Sequence, residues 1–154
     1  SFISAELSEL SIQEKKLVAS AKLAVNTAYA PYSGFLVGAS VLLDNGEIIN
    51  GSNQENVAYP SGLCAERVAL FYAGARFPDA KIITIAVSVM SKAFKVTDVI
   101  SPCGACRQVM AEYEDKQEQA IKVILHSPTD QVLIANTVES LLPFMFKSPL
   151  LKQH

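Results

Sequence analysis

The sequence predicts an α/β fold in which helices are layered on a mixed sheet of five strands. Segments rich in β-branched residues alternate with segments of helical periodicity along the chain. An Asp44-Asn45-Gly46 turn joins the first two of these strands as an antiparallel hairpin. The length of 154 residues, half of them apolar, is typical of one domain with a substantial core, and we expect residues 1–154 to form that domain.

The N-terminal half supplies one helix and the hairpin. Ser11-Ile12-Gln13-Glu14 is a capping box, in which the serine and glutamate side chains satisfy free backbone N–H groups at a helix start. The helix is expected to continue to about Ala28 and to end before Pro31. Its inner face comprises Leu17, Ala21, Ala24, Val25 and Ala28. Strands are predicted over 35–43 and 47–51, and a loop over 53–63.

The C-terminal half alternates helices with strands. Helices are predicted over 64–76 and 103–113, and a short helix over 137–142 is ended by Pro143. Strands are predicted over 81–90, 121–126 and 131–135. The strand over 81–90 is dense in isoleucine and valine, which favours a strand covered on both faces. Together with the hairpin, these strands complete a sheet that joins an antiparallel pair to parallel strands.

Composition argues against several classes of protein. The net charge is −2 and no run of basic residues occurs, so a nucleic-acid polymer is not expected as a partner. No stretch reaches the roughly 18 apolar residues that a membrane helix needs, and the N-terminus, with Glu6, Glu9 and Glu14, lacks a signal-peptide pattern. Three cysteines, an odd number, argue against a disulfide framework and for a reducing compartment such as the cytoplasm.

The three cysteines lie in two short motifs. The first is Cys64-Ala65-Glu66-Arg67, and the second is Pro102-Cys103-Gly104-Ala105-Cys106-Arg107-Gln108. Three thiolates can bind Zn²⁺ and leave the fourth tetrahedral position to water, which is typical of a catalytic site. Glu66, two residues after a ligand, is placed to move that water's protons. A ligand followed by glutamate and then by P-C-x-x-C is a signature of zinc-dependent nucleobase deaminases.

The spacing of these residues is compatible with one metal ion. Cys103 and Cys106 share one face of a helix, so both sulfurs can contact the same ion. Cys64 and Glu66 converge only if the ion lies beyond the helix N-terminus, because side chains lean toward that end. Two helix dipoles would then point at the ion and favour thiolate. Arg67, and after it Arg107, are candidates to donate hydrogen bonds to the sulfurs.

Other interpretations of the cysteines are open at this point. A C-x-x-C pair is often structural, and cysteines are often buried as small hydrophobic residues. A structural zinc site needs a fourth ligand, for which the sequence offers His126, at the end of a predicted strand, and His154, the last residue. Glu66 by itself would be an ordinary acid in a first helical turn. A non-catalytic zinc-binding or interaction module would need neither Glu66 nor a free coordination position.

Together with three further segments, the two motifs resemble those of the small homotetrameric cytidine deaminases of pyrimidine salvage. The segment Ala30-Pro31-Tyr32-Ser33-Gly34-Phe35-Leu36-Val37-Gly38-Ala39 is similar to the family's A-P-Y-S-x-F-x-V-G-A. Asn53-Gln54-Glu55-Asn56 is similar to N-x-E-N, and Leu141-Leu142-Pro143-Phe144-Met145-Phe146 to L-L-P-x-x-F. The resemblance spans residues 24–146 and implies a three-layer α/β/α sandwich with a mixed five-stranded sheet.

The resemblance also implies a role for each matching residue. Zinc is held by Cys64, Cys103 and Cys106, and Glu66 shuttles protons. Phe35 packs against the pyrimidine, and Asn53 and Glu55 hydrogen-bond the ribose, mainly at its 3′-hydroxyl. Two further substrate contacts are Ala65 and Phe146, the latter supplied by an adjacent subunit. The residues expected to support the metal site within their own subunit are Arg67, Arg107 and Gln108.

The expected reaction is hydrolytic deamination of cytidine and 2′-deoxycytidine to the uridines and ammonia. The expected assembly is a homotetramer with shared active sites, and the mean hydropathy of +0.26, high for a lone small domain, supports burial between subunits. The alternative on the same fold is a deaminase of another base or of a nucleoside antibiotic, which would not need Asn53 and Glu55. A polynucleotide editor would need a basic groove, for which the sequence has no basic run.

Overall fold

The computed structural model describes residues 1–152, and within them six strands and three α-helices follow one another. In chain order they are β1 (Phe2–Glu6), α1 (Ile12–Ala24), β2 (Phe35–Leu43), β3 (Ile48–Ser52), α2 (Ala65–Arg76), β4 (Ile82–Ser91), α3 (Gly104–Gln117), β5 (Lys122–His126) and β6 (Gln131–Ala135). Short 3₁₀ turns are Leu7–Glu9, Val25–Thr27, Tyr59–Ser61, Val138–Leu141 and Pro149–Leu151. Of the helices described here, none has the length and apolar character needed to cross a bilayer.

The strands form one mixed sheet in the order β1-β6-β5-β4-β2-β3. β4 and β5 are parallel, and every other neighbouring pair is antiparallel. The β2–β3 hairpin turns at Gly46, whose φ of +86° favours glycine. The predicted α/β fold with a mixed sheet is confirmed, but the predicted number of strands is wrong, because the described chain contributes six instead of five.

The additional strand is β1. It pairs with β6 from Phe2↔Ala135 to Glu6↔Gln131 and forms one edge of the sheet. Phe2 and Ile3, the first two residues of β1, are both apolar and both half exposed, although they point to opposite faces of the sheet. The strand therefore lacks the alternation of apolar and polar residues that would have indicated it in the sequence. β1 is a strand because its backbone hydrogen-bonds to β6, and this long-range pairing leaves no local pattern in the sequence.

Helices cover both faces of the sheet and give the three-layer arrangement. On one face α1 buries Leu17 in a cluster that includes Ala86 of β4. On the other face α2 and α3 bury Leu70 and Met110 in a larger cluster that includes Ile85 of the same strand. Ile85 and Ala86 are consecutive and therefore point to opposite faces. The prediction that this strand is covered on both faces is confirmed.

The predicted helix starts are close to the observed ones. Cys64 is the N-cap of α2 and Cys103 is the N-cap of α3. The capping box of α1 is formed, because Ser11 Oγ accepts from the N–H of Glu14 and the Glu14 carboxylate accepts from the N–H of Ser11. α1 ends at Ala24, earlier than predicted, because the chain tightens into a 3₁₀ turn there. The helix predicted over 137–142 is a 3₁₀ turn as well.

Close contact between β3 and α2 fixes the start of α2. A Cβ atom at Gly51 would lie 2.6 Å from the backbone nitrogen of Ala69 and 2.7 Å from the carbonyl oxygen of Ala65. Glycine at this position therefore allows the first turns of α2, which carry Glu66, to lie directly on the sheet.

Replacing Gly51 with alanine is expected to lower the free energy of unfolding by about 1–3 kcal/mol or more, because helix and strand must move apart. Thermal or urea unfolding measures this loss. Gly104→Ala is the matched control, since a Cβ atom there meets nothing within 4 Å. A Gly51→Ala protein as stable as the control would contradict the close packing of α2 on β3.

Candidate active site

The three cysteine sulfurs form one cluster between α2 and α3. Their Sγ atoms all lie within 4.8 Å of one another. Cys64 Sγ is 3.7 Å from Cys103 Sγ, which is 3.5 Å from Cys106 Sγ. Two motifs that are far apart in the sequence therefore meet at one point, as their spacing predicted.

The spacing and the donor chemistry of this cluster fit zinc. Tetrahedral Zn–S bonds of about 2.3 Å place neighbouring sulfurs about 3.8 Å apart, which is close to both measured separations. Three thiolates leave one coordination position free. Cys106 is buried, Cys64 is half-buried and Cys103 is exposed, so the cluster is accessible from the side of Cys64 and Cys103.

The surroundings of the cluster favour thiolate at Cys64. The hydrogen bond with Cys106, followed by that from Arg67, lowers the pKa of Cys64 to about 5. The pKa of Cys106 is raised, because its thiol is the partner in that hydrogen bond and is buried. As N-caps, Cys64 and Cys103 also lie at the positive ends of the α2 and α3 dipoles.

One of the two candidate arginines contacts a sulfur. Arg67 Nη2 donates to Cys64 Sγ at 3.4 Å, and this hydrogen bond raises the pKa of the guanidinium. Arg107 donates from Nε to the carbonyl oxygen of Pro102 at 2.8 Å and from Nη1 to that of Leu141 at 3.0 Å. The structure thus places Arg67 on the cluster, while Arg107 ties the loop before α3 to the C-terminal segment.

Glu66 lies in the first turn of α2 and is only 4% exposed. Burial raises the pKa of its carboxyl group, so the group stays protonated to a higher pH than an exposed glutamate does. Glu66 borders the same cavity as Cys64 and Cys103. A carboxyl group in this position is suited to accept a proton and to return it.

A cavity of about 740 Å³ opens in front of the cluster. Its apolar wall includes Phe35 of β2 together with Val87 and Val89 of β4, and its polar side includes Asn53 and Glu55. A volume of this size, with an apolar wall and polar groups on the opposite side, is typical of a site for a small molecule.

Asn53 and Glu55 are held in fixed orientations at this cavity. Asn53 Oδ1 accepts from the N–H of Val37 at 2.8 Å, and its Nδ2 donates to the carbonyl oxygen of Phe35 at 2.8 Å. The Glu55 carboxylate accepts a hydrogen bond from Ser33 Oγ, which is the chief reason that the pKa of Glu55 is lowered. The structure therefore brings both predicted residues to the cavity, with Glu55 ionised.

The remaining predicted residues are spread more widely. Ala65 is buried at the first position of α2, beside Cys64. Gln108 Nε2 donates to the backbone carbonyl oxygen of Phe146 at 2.8 Å, whereas the Phe146 side chain is 74% exposed. Within one chain, Gln108 therefore holds the C-terminal segment against α3, and Phe146 lies outside the residues that line the cavity.

Phe94 is a neighbour of the cavity that the sequence did not indicate. Its ring stacks on that of Phe35, with centroids 6.2 Å apart and planes 8° apart. The N–H of Lys92 donates to the carbonyl oxygen of Gly34 at 2.9 Å and brings this loop to Phe35. Phe94 follows a strand and belongs to neither a periodic segment nor a motif, so no signal marks it.

His126 forms hydrogen bonds with residues outside the cysteine cluster. Its Nδ1 lies 2.9 Å from Ser88 Oγ, and its Nε2 lies 2.8 Å from Asp130 Oδ1. Burial lowers the pKa of His126. Because both ring nitrogens are occupied, His126 is not a fourth ligand, which favours the catalytic over the structural interpretation of the cysteines. His154 lies outside the described residues.

Comparison with known proteins agrees with this geometry. A family model, the cytidine and deoxycytidylate deaminase zinc-binding region, matches residues 11–121 and so covers both cysteine motifs. The chain belongs to this family. Its predicted membership is confirmed, and zinc is the cofactor that its three clustered thiols fit.

Relatives span most of the chain. A cytidine deaminase of Halalkalibacterium halodurans is 36% identical over 135 residues, which are 88% of this chain and 95% of the relative. A cytidine deaminase of Sporosarcina psychrophila is 43% identical over 106 residues, 64% of this chain and 68% of the relative. The crystal structure of the cytidine deaminase from Burkholderia pseudomallei is 36% identical and matches with a TM-score of 0.74, covering 89% of this chain and 100% of that one.

Proposed function

We propose that the protein is a zinc-dependent cytidine deaminase that hydrolyses cytidine and 2′-deoxycytidine to uridine and 2′-deoxyuridine. The observation that carries this proposal is the position of Glu66, a buried carboxyl group that borders one cavity with two of the three clustered thiols. The similarity to cytidine deaminases of other organisms supports the choice of substrate.

In this proposal Cys64, Cys103 and Cys106 hold the zinc ion, and Arg67 neutralises part of the thiolate charge through its hydrogen bond to Cys64. Zinc bound in this way supplies a water acidic enough to act as a nucleophile near neutral pH.

Glu66 carries the protons of the reaction. It accepts one proton from the attacking water and delivers it to N3 of the pyrimidine, while the water oxygen bonds to C4. It then carries the second proton to the amino group, the C4–N bond breaks and ammonia leaves. One carboxyl group serves each step because it alternates between its two protonation states.

The cavity positions the nucleoside for these steps. Phe35 packs against the pyrimidine, with Val87 and Val89 completing the apolar wall. Asn53 and Glu55 hydrogen-bond the sugar. Ala65, predicted as a further substrate contact, is buried beside Cys64 and lies outside the residues that line the cavity. These contacts suit a free nucleoside, which is the substrate expected of an enzyme of pyrimidine salvage. The three free thiols suit a reducing compartment, and we place the enzyme in the cytoplasm.

A substrate panel tests the proposed function. We expect cytidine and 2′-deoxycytidine to react with comparable kcat/KM, and free cytosine to react poorly because binding energy from the sugar is needed at the reacting atoms. CMP should be rejected, because Glu55 places a negative charge at the sugar end of the cavity. The assay follows the loss of cytidine absorbance. Efficient turnover of cytosine, CMP, adenosine or guanine instead of the cytidines would contradict the proposal.

We also propose that the enzyme is a homotetramer in which Phe146 of one chain approaches the pyrimidine site of another. Large apolar side chains are unusually exposed near the cavity and at the C-terminal segment: Tyr59 is 91% exposed and Phe144 is 98% exposed. Gln108 fixes the backbone of Phe146 and leaves its ring free to contact a neighbouring chain. Such exposed aromatic groups are typical of protein interfaces.

Truncation tests this assembly. A chain ending at residue 142 should lose both tetramer and activity, whereas a chain ending at residue 148, which keeps Phe144 and Phe146, should retain both. Light scattering at low micromolar concentration gives the mass, and the cytidine assay gives the activity. A fully active monomer would contradict the shared active site.

A further inference from the structure

Ser33 connects the two groups that are proposed to bind the two halves of the nucleoside. Its hydroxyl donates to Glu55 Oε2 at 2.5 Å and accepts from the backbone N–H of Phe35 at 3.0 Å. Glu55 is the proposed sugar contact and Phe35 the proposed pyrimidine contact. Among the contacts of the Glu55 carboxylate, Ser33 supplies the only one made by a side chain within residues 1–152.

The other carboxylate oxygen is held by the backbone. Glu55 Oε1 accepts from the N–H of Tyr32 at 3.0 Å and from the N–H of Ser33 at 3.2 Å. A carboxylate offers about four acceptor positions, two on each oxygen. Oε1 is therefore saturated, and Oε2 keeps one position beyond its bond to the Ser33 hydroxyl.

Asn53 has a similarly limited capacity. Its amide oxygen accepts from the N–H of Val37, and one of its two amide N–H groups donates to the carbonyl oxygen of Phe35. One N–H and one acceptor position of the amide therefore remain. Together, Glu55 and Asn53 can serve one hydroxyl that donates to Glu55 Oε2 and accepts from Asn53 Nδ2.

We propose that Ser33 is a positioning residue, whose hydroxyl orients Glu55 so that a single acceptor position faces one sugar hydroxyl of the nucleoside. This inference rests on the proposed function. Without the Ser33 hydroxyl, Oε2 loses its anchor and the half-buried carboxylate can turn away from the cavity. The N–H of Phe35, the other partner of the Ser33 hydroxyl, is solvent-exposed and can hydrogen-bond water instead. Ser33 therefore acts on catalysis through Glu55 and the sugar, and the chemistry at C4 is left intact.

The test compares Ser33→Ala and Ser33→Thr with the unaltered protein on two substrates, 2′-deoxycytidine and 2′,3′-dideoxycytidine, the second of which lacks the 3′-hydroxyl. For Ser33→Ala we expect kcat/KM on 2′-deoxycytidine to fall about tenfold, mainly through KM, the size of effect given by one lost hydrogen bond to a charged group. On 2′,3′-dideoxycytidine the fall should be less than about twofold, because the hydroxyl that Glu55 binds is absent from that substrate. Ser33→Thr, which keeps a hydroxyl, should restore most of the loss.

A second comparison separates positioning from folding. In a Glu55→Ala background, adding Ser33→Ala should cause no further loss on 2′-deoxycytidine, because the two residues act as one unit. Equal losses on both substrates, a further loss in the Glu55→Ala background, or an unchanged Ser33→Ala enzyme would overturn the proposal. If the unaltered protein deaminates neither substrate, the proposed function itself fails, and that outcome is visible before any variant is compared.

Discussion

Replacement of Glu66 by glutamine is expected to remove nearly all turnover while zinc stays bound. The amide keeps the size of the carboxyl group but cannot accept a proton and return it, so kcat should fall by about 10²–10⁴-fold or more. The sulfur ligands are unchanged, and the zinc content per chain should therefore match that of the unaltered protein. Steady-state kinetics and elemental analysis of the same preparation measure both quantities.

Glu112→Gln is the matched control for this experiment. Glu112 is an exposed carboxylate on α3 whose partner is Lys152, so its replacement should leave both turnover and zinc content unchanged. A Glu66→Gln protein with activity near that of the control would show that Glu66 is not the proton carrier.

Replacement of Cys106 by alanine is expected to abolish zinc binding and to destabilise the fold. Two sulfurs would remain, too few to hold the ion in a site of three protein ligands. Because metal binding is coupled to folding, the melting temperature should fall, and activity should fall below detection. Elemental analysis and thermal unfolding provide the two measurements.

Chelation separates the metal contribution from the loss of core packing, since Cys106 is also part of the core. Removing zinc from the unaltered protein should lower its melting temperature, and adding zinc should restore it. The Cys106→Ala protein should respond to neither treatment. A Cys106→Ala protein that still binds one zinc ion per chain would contradict the three-cysteine site.

The local sequence was sufficient to predict those parts of the site that combine a strong motif with a helix start. The helix starts predicted at residues 64 and 103 coincide with Cys64 and Cys103, the N-caps of α2 and α3. The C-x-x-C spacing places Cys106 on the same side of α3 as Cys103. The clustering of the three sulfurs follows from those two facts and from the packing of both helices on one face of the sheet.

Features that depend on long-range contacts could not be predicted from the sequence. β1 exists as a strand because it pairs with β6, at the other end of the chain. Phe94 reaches Phe35 because its loop hydrogen-bonds to Gly34. Arg107 follows a ligand as directly as Arg67 does, yet its guanidinium binds two carbonyl oxygens, which only the folded position of the C-terminal segment determines.

The most direct test of the central claim is a single experiment on the purified protein, in which zinc content and the conversion of cytidine are measured in the same sample. We expect about one zinc ion per chain, as the single cluster of three thiols implies, stoichiometric formation of uridine and ammonia, and loss of both zinc and activity on chelation. Full zinc occupancy without any conversion of cytidine or 2′-deoxycytidine would contradict the account, as would undiminished conversion by protein free of zinc.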